Sequence, residues 1–247
     1  MPAAGLDLQA DQNRRFYDSY WSGDFAARQQ LWREWWQEAY AQALAFAGPL
    51  PGKKVLNLFA GHGADARWLQ GLGAEVVALD FSRGGLVHLT GDRTAPAPLC
   101  ADATRIPCAD ATFDLVFVIN GICHTDKGRV LAECRRVLKP GGTTVLIEVL
   151  RWPHVALLAR LLDPFFWKAP HRFLSVGELE RLGRDYGTCE HREFCFLSVC
   201  SIMLRRLLPA SRLLQRLHAA CMALDRWLLR ALPCLRRCCY LTVAKLV

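Results

Sequence analysis

No run of about 18 uncharged apolar residues occurs anywhere in the chain, so a membrane-crossing helix is not expected. The opening stretch MPAAGLDLQADQNRR also lacks an apolar core behind a basic start. A secretory leader is therefore not expected, and residence in the cytoplasm is. Paired cysteines are missing as well. Eleven cysteines, an odd number, are scattered without one C-x-x-C, and a chain of 247 residues needs no disulfide staples, so they read as reduced thiols. Internal repeats and low-complexity linkers are absent, which leaves one domain with appendages as the expectation. What the chain does have is apolar residues, 52% of the total, enough for a sizeable core and too many for a disordered chain.

The richest stretch runs from Lys54 to Phe81, KVLNLFAGHGADARWLQGLGAEVVALDF. Val55 to Phe59 is a short apolar run without polar alternation, as a parallel strand covered on both faces requires. A turn with Gly61 and Gly63 follows, where glycine lets the backbone pass close to a ligand. Ala64 to Gln70 then supplies a helix whose first amides point into the same crevice. A second strand, Glu75 to Leu79, ends in Asp80, at a spacing that lets a carboxylate accept hydrogen bonds from ribose hydroxyls. The third glycine of the dinucleotide fingerprint is missing, because Gly61-His62-Gly63 is followed by Ala64, Asp65 and Ala66.

Three further motifs follow in order: Asp102-Ala103 before Ile106-Pro107, then Thr112 to Val118, then Arg136-Val137-Leu138-Lys139-Pro140-Gly141-Gly142. Over about residues 50 to 150 this succession resembles the class I S-adenosylmethionine (SAM) dependent methyltransferases, in the branch that contains the ubiquinone and menaquinone biosynthesis enzymes. The resemblance implies an α/β fold, a Rossmann-like seven-stranded methyltransferase sheet with flanking helices and an aromatic N-terminal helical lid, while about forty residues before the last strand, where the family has a modest connection, are expected to form a helical insertion. One methyltransferase domain over 1–247 is expected, made of a lid (1–50), a SAM-binding core (51–150), an acceptor-side segment (151–198), a basic amphipathic insertion (199–239) and the last strand (240–247).

With SAM as cofactor, the resemblance assigns the ribose to Asp80 and the adenine amino group to Asp102, with Ala103 beside the ring. Phe81 would pack on the adenine face. Asn120, after the strand Asp114 to Ile119, would turn its backbone to the methionine end of the cofactor. Two positions depart from the family pattern. Asn57 stands where an acidic residue is usual, so that it can accept a bond from an ammonium but brings no charge. Phe59 stands where a glycine is usual and adds bulk at a tight point.

RRFYDSYW resembles the lid in which small-molecule methyltransferases place a tyrosine over the cofactor. Tyr17 is the candidate, with Tyr20 and Trp21 as neighbours, and Trp21 on the acceptor side. Trp32, Trp35, Trp36 and Tyr40 recur at helical spacing and read as a helix packed on the sheet. His124, in NGICHTD, falls where family members often carry a histidine near the reacting methyl. It is either the general base for an acceptor hydroxyl or a wall of the pocket. Trp152, His154, Phe166 and His171 follow the fifth strand, Thr143 to Val149, and are the candidates for an apolar acceptor pocket, although core packing explains the aromatics as well.

Ser175 to Glu178 reads as a capping box opening a helix over Val176 to Tyr186, with a strand expected over Cys189 to Val199 and the last over Tyr240 to Val247. Between these two strands Leu204, Leu207 and Leu208, then Leu213, Leu214, Leu217, Cys221, Leu224, Leu228 and Leu232, form a helical stripe opposite an arginine face, broken at Pro209 and Pro233. Nine Lys or Arg residues after residue 198 against the single acid Asp225 give +8, the net charge of the whole chain. Nucleic acid is not the expected partner, because Trp227 is the lone tryptophan in a stripe of leucines. Two readings stay open: peripheral contact with an anionic membrane surface through 199–239, or packing on the domain or on a second subunit of a homodimer.

The expected activity is methyl transfer to a small, lipophilic or aromatic metabolite. One alternative is a non-catalytic SAM-binding module held at a membrane or in a complex. Another is thiol-assisted arsenite methylation at Cys234, Cys238 and Cys239, but adjacent cysteines diverge and no metal site is expected.

Overall fold

The computed structural model describes residues 16–18, 33, 35–151, 172–207 and 212–247. Seven strands form one sheet in the order β3-β2-β1-β4-β5-β7-β6. They are β1 (Lys54–Leu58), β2 (Glu75–Asp80), β3 (Ala97–Cys100), β4 (Phe113–Ile119), β5 (Leu138–Val149), β6 (Cys189–Phe194) and β7 (Leu241–Leu246). The first five pair in parallel, and β7 runs antiparallel to both β5 and β6. Helices α1 (Gln37–Ala47), α2 (Ala64–Gly71), α3 (Arg83–Leu86), α4 (Lys127–Val137), α5 (Val176–Tyr186), α6 (Ser198–Leu207) and α7 (Arg212–Ala231) surround it.

The strands alternate between two buried faces, as a period of two demands, and both faces are apolar because both are covered. Val55, Ala78, Phe117, Val145 and Val243 share one core with Ala39, Ala43 and Phe46 of α1 and Met222 of α7. Leu56, Leu79, Val116, Leu146 and Ala244 share the other with Val130 and Cys134 of α4 and Leu179 of α5. Local signals fix the helix ends. Gly48, at φ +68° and followed by Pro49, closes α1. The Ser175 hydroxyl accepts the Glu178 amide at the start of α5 (3.2 Å), and Asp126 caps α4 through the Arg129 amide.

The strand expected over Cys189–Val199 stops at Phe194. Cys195 takes a left-handed backbone (φ +61°), and the amides of Phe196, Leu197 and Ser198, with the Ser198 hydroxyl, all donate to the Asp225 carboxylate of α7 at 2.7–3.1 Å. A strand cannot continue where three successive amides turn onto one carboxylate, so α6 begins there instead. The leucine stripe of the insertion is also divided. Leu214 is buried with Met222, Asp225 and Leu229, whereas Leu213, Leu217, Leu224 and Leu232 are exposed. Among the described residues no helix is long and apolar enough to cross a membrane.

Candidate active site

From β1 the chain runs outward to β2 and β3, then crosses back to β4 beside β1. The carboxyl ends of β1 and β4 therefore flank the topological switch point, the place where open α/β sheets hold ligands.

On the β1 side the turn passes through Phe59 (φ +58°), Gly61 (φ +52°) and Gly63 (φ +86°), which opens α2. Side-chain-free backbone is needed at Gly63, where a Cβ would run into Leu89. Asp80 ends β2 and is buried. Its Oδ2 accepts the Gly61 amide at 2.8 Å and its Oδ1 the Ser82 amide at 2.9 Å. Burial pushes its pKa up to about 6, against the opposing pull of the Ser82, Gly61 and Phe81 amides.

Asn57 is wholly buried inside β1. Its Nδ2 donates to the Leu58 carbonyl at 3.3 Å, and its Oδ1 has no partner among the described residues. An orphaned buried acceptor is a standing invitation to a donor. Phe59 carries a left-handed backbone, which its bulk disfavours, and its ring lies where a Cβ on Gly121 would have to go. Asn120, exposed at the end of β4, is also left-handed (φ +49°) and donates its amide to Ile147. Asp102 is exposed, and one of its oxygens holds the amide and hydroxyl of Thr104, while Ala103 beside it is buried.

Tyr17 reaches across the crevice. Its hydroxyl and His124 Nε2 are hydrogen-bonded at 2.8 Å, and its ring meets Phe81 edge-on at 5.8 Å. Three of the residues singled out in the sequence, two of them 107 positions apart, thus come together. Tyr20, Trp21, Trp152, His154, Phe166 and His171 lie outside the described residues. The Arg172 amide bonds the Cys123 carbonyl beside His124, and the Arg151 amide bonds the Leu174 carbonyl.

Two further residues hold the site, and neither was singled out in the sequence. Asp18 accepts the Ser82 hydroxyl (2.6 Å) and the Gly84 amide (3.0 Å), fixing the Tyr17 segment onto the turn after Asp80. A Cβ on Gly84 would collide with the Asp18 backbone, so the pair Gly84-Gly85 was the available signal. Glu148, wholly buried in β5, accepts the Gly121 and Ile122 amides on Oε1 at 2.7 and 2.9 Å and so sets the turn that carries His124. Burial raises its pKa to about 7. Its signal was a lone acid in the apolar run TTVLIEVL.

Cys234 is exposed while Cys239 is buried, and among the described residues no three His, Cys, Asp or Glu side chains are grouped to hold a metal ion.

Residues 56–146 match the methyltransferase domain family. A demethylmenaquinone methyltransferase of Clavibacter sepedonicus is 39% identical over 133 residues, covering 52% of this chain and 52% of that enzyme. The demethylmenaquinone methyltransferase of Parafrankia sp. (strain EAN1pec) is 33% identical over 178 residues, covering 61% of this chain and 68% of the relative. The chain belongs to the class I SAM-dependent methyltransferases. The chain spans about half the length of the Clavibacter relative it matches. Its fold is that of phosphoethanolamine N-methyltransferase 2 of Haemonchus contortus, solved in complex with SAM. That likeness has a TM-score of 0.60 at 17% identity and covers 86% of this chain and 52% of that one.

SAM is the cofactor of this family, and the residues at the switch point are compatible with it. The Asn57 acceptor awaits a donor, the Gly61–Gly63 turn leaves room for a close approach, and Asp80 is a buried carboxylate at the second strand end.

Proposed function

We propose that the chain methylates a small, lipophilic, ring-bearing metabolite of the quinol kind, with SAM as donor. The observation that carries this reading is the meeting of Tyr17, Phe81 and His124 above the switch point. The relatives named above are demethylmenaquinone methyltransferases, which supports a lipophilic ring acceptor. Cytoplasmic residence, with contact to a membrane surface through 199–239, belongs to the same reading.

When bound, SAM supplies a methyl carbon already activated by its sulfonium. The protein is left mainly with alignment. Asp80 would accept the ribose hydroxyls and Asp102 the adenine amino group, with Ala103 and Phe81 against the ring. Asn57 Oδ1 would accept from the ammonium, and the Asn120 backbone would border the methionine end. Tyr17 covers the crevice and excludes water, while its hydroxyl orients the His124 ring. The acceptor's bond to the methyl would form as the methyl–sulfur bond breaks and S-adenosylhomocysteine leaves, and the proton the acceptor sheds would reach His124 through the Tyr17 hydroxyl bonded to Nε2. Trp21, Trp152, His154, Phe166 and His171 are proposed to line the acceptor side.

Two measurements test the proposal. Titration with SAM and S-adenosylhomocysteine reads the cofactor site, and transfer of a labelled methyl to demethylated quinols reads turnover. Tight cofactor binding with no transfer to any ring acceptor would refute the substrate class. A His124→Ala variant with full turnover would leave the histidine as a wall only.

A further inference from the structure

Helix α7 has two apolar faces. The inner one carries Leu214, Met222 and Leu229, with the His218 ring tilted at 51° against Trp35 at 4.3 Å between centroids. The outer one is open to water: Leu213 is 77% exposed, Trp227 64%, Leu224 45% and Leu217 43%. With Ala220 these residues recur at steps of four, three, four and three, so they form one line along the helix. Arg212, Arg216 and Arg230 are exposed on the flank of that line, on the side away from the buried face.

The electrostatics are one-sided by construction. Asp225, the single acid after residue 198, is buried and committed to the start of α6. Arg226 is paired with Glu38 of α1, which ties the helix to the domain. Arg236 and Arg237 are exposed on the turn Pro233–Cys238 that follows, next to exposed Leu232. The outer surface of this element therefore offers leucine, tryptophan and arginine and no carboxylate.

We propose that this face of α7 docks on a bilayer surface bearing anionic headgroups. Leu213, Leu217, Leu224 and Trp227 enter the interfacial layer, and Arg212, Arg216 and Arg230 meet headgroup phosphates. A second copy of the chain is a poorer occupant. Pairing two copies of this helix would bring arginine rows together with no acid on either side to neutralise them. The inference deepens the membrane contact in the proposed function, but it rests on the helix face and not on the identity of the acceptor.

The test uses the full chain. Co-sedimentation with phosphatidylcholine vesicles, with and without phosphatidylglycerol, should show binding only to the anionic set, weakening as salt rises. Arg212→Gln, Arg216→Gln and Arg230→Gln together should lower vesicle affinity roughly a hundredfold. Leu213→Gln with Leu224→Gln should abolish it, and brominated lipid should quench the wild type more than Trp227→Phe. These side chains are exposed, so folding and S-adenosylhomocysteine affinity should stay unchanged. Measuring that affinity in the same samples separates a failure of docking from a failure of the methyltransferase reading. Absence of vesicle binding at low salt, equal binding to neutral vesicles, or a lipid-indifferent dimer that Leu224→Gln dissociates would each overturn the proposal.

Discussion

Replacing Asp80 by Asn separates what this carboxylate does for the cofactor from what it does for the fold. Asp80 is 4% exposed, and its pKa rises from 3.8 to about 6 because burial outweighs the amides of Ser82 and Gly61. That rise makes the ionised form about 3 kcal/mol less stable in the folded chain, relative to its neutral form, than in the unfolded one. Asn is neutral and nearly isosteric. It keeps one acceptor, but its amide nitrogen faces a backbone N–H, which costs about 1–3 kcal/mol. The two terms nearly cancel. At pH 7.5 the melting temperature of Asp80→Asn should therefore lie within about 4 °C of wild type. Affinity for S-adenosylhomocysteine should fall roughly tenfold to a hundredfold, the worth of a hydrogen bond to a charged acceptor. The pH dependence carries the sign. A carboxyl group with a raised pKa contributes stability that is full below 3.8 and is lost as pH rises through about 6, so the wild type should lose stability relative to the variant over that window. Cofactor affinity should run the other way in the wild type, increasing as Asp80 ionises, and be flat across that window in the variant. Unchanged affinity by calorimetry would refute the ribose role, and a fall in melting temperature of more than about 10 °C would refute the burial argument.

Phe59→Gly removes a left-handed strain of about 1–2 kcal/mol and loses a half-buried ring worth about as much, so stability should barely move while S-adenosylhomocysteine binds several-fold tighter; weaker binding would mean that the ring supports the cofactor. Asp225→Ala leaves the amides of Phe196, Leu197 and Ser198 without their acceptor, and chemical denaturation should show a loss on the order of 3 kcal/mol or more. His191 hydrogen-bonds Glu193 at 2.6 Å, which raises its pKa, and Glu180 adds to this while burial and Arg236 oppose it. The stability it contributes is therefore full below the unfolded histidine pKa and lost as pH rises through the folded one. His191→Gln should destabilise the protein at pH 6 and hardly at all at pH 9, and an equal loss at both would refute the ion pair.

The stretch from Lys54 to Phe81 is legible in the sequence because each of its signals is local. An apolar run makes a strand, glycines make the turn, and the acid sits at the next strand end, so Asp80 and the Gly61–Gly63 turn could be found without knowing what folds over them. Tyr17 and His124 were legible only one at a time. Their hydrogen bond spans 107 positions and depends on Asp18 and Glu148, whose roles are to accept backbone amides from distant turns. Nothing in the spacing of a single acid says which turn it will hold. Asp225 is the same case: in the sequence it is a lone charge to be counted, and in the fold it ends β6 and starts α6.

The insertion shows where periodicity itself runs out. Leu213, Leu217 and Leu224 lie on one side of α7 and Leu214, Met222 and Leu229 on another, so the pattern is satisfied by burying either. The choice is made elsewhere, by the Trp35 ring that meets His218, by Glu38 that takes Arg226, and by the start of α6 that draws Asp225 inward. Each of these partners selects the same side. Once that side is buried, Leu213, Leu217, Leu224 and Trp227 must face outward beside an arginine row whose only acidic neighbour in the segment has been removed from the surface. The exposed apolar line is thus a consequence of how the domain anchors the helix, and a surface element held this firmly keeps its amphipathic face oriented before any partner arrives.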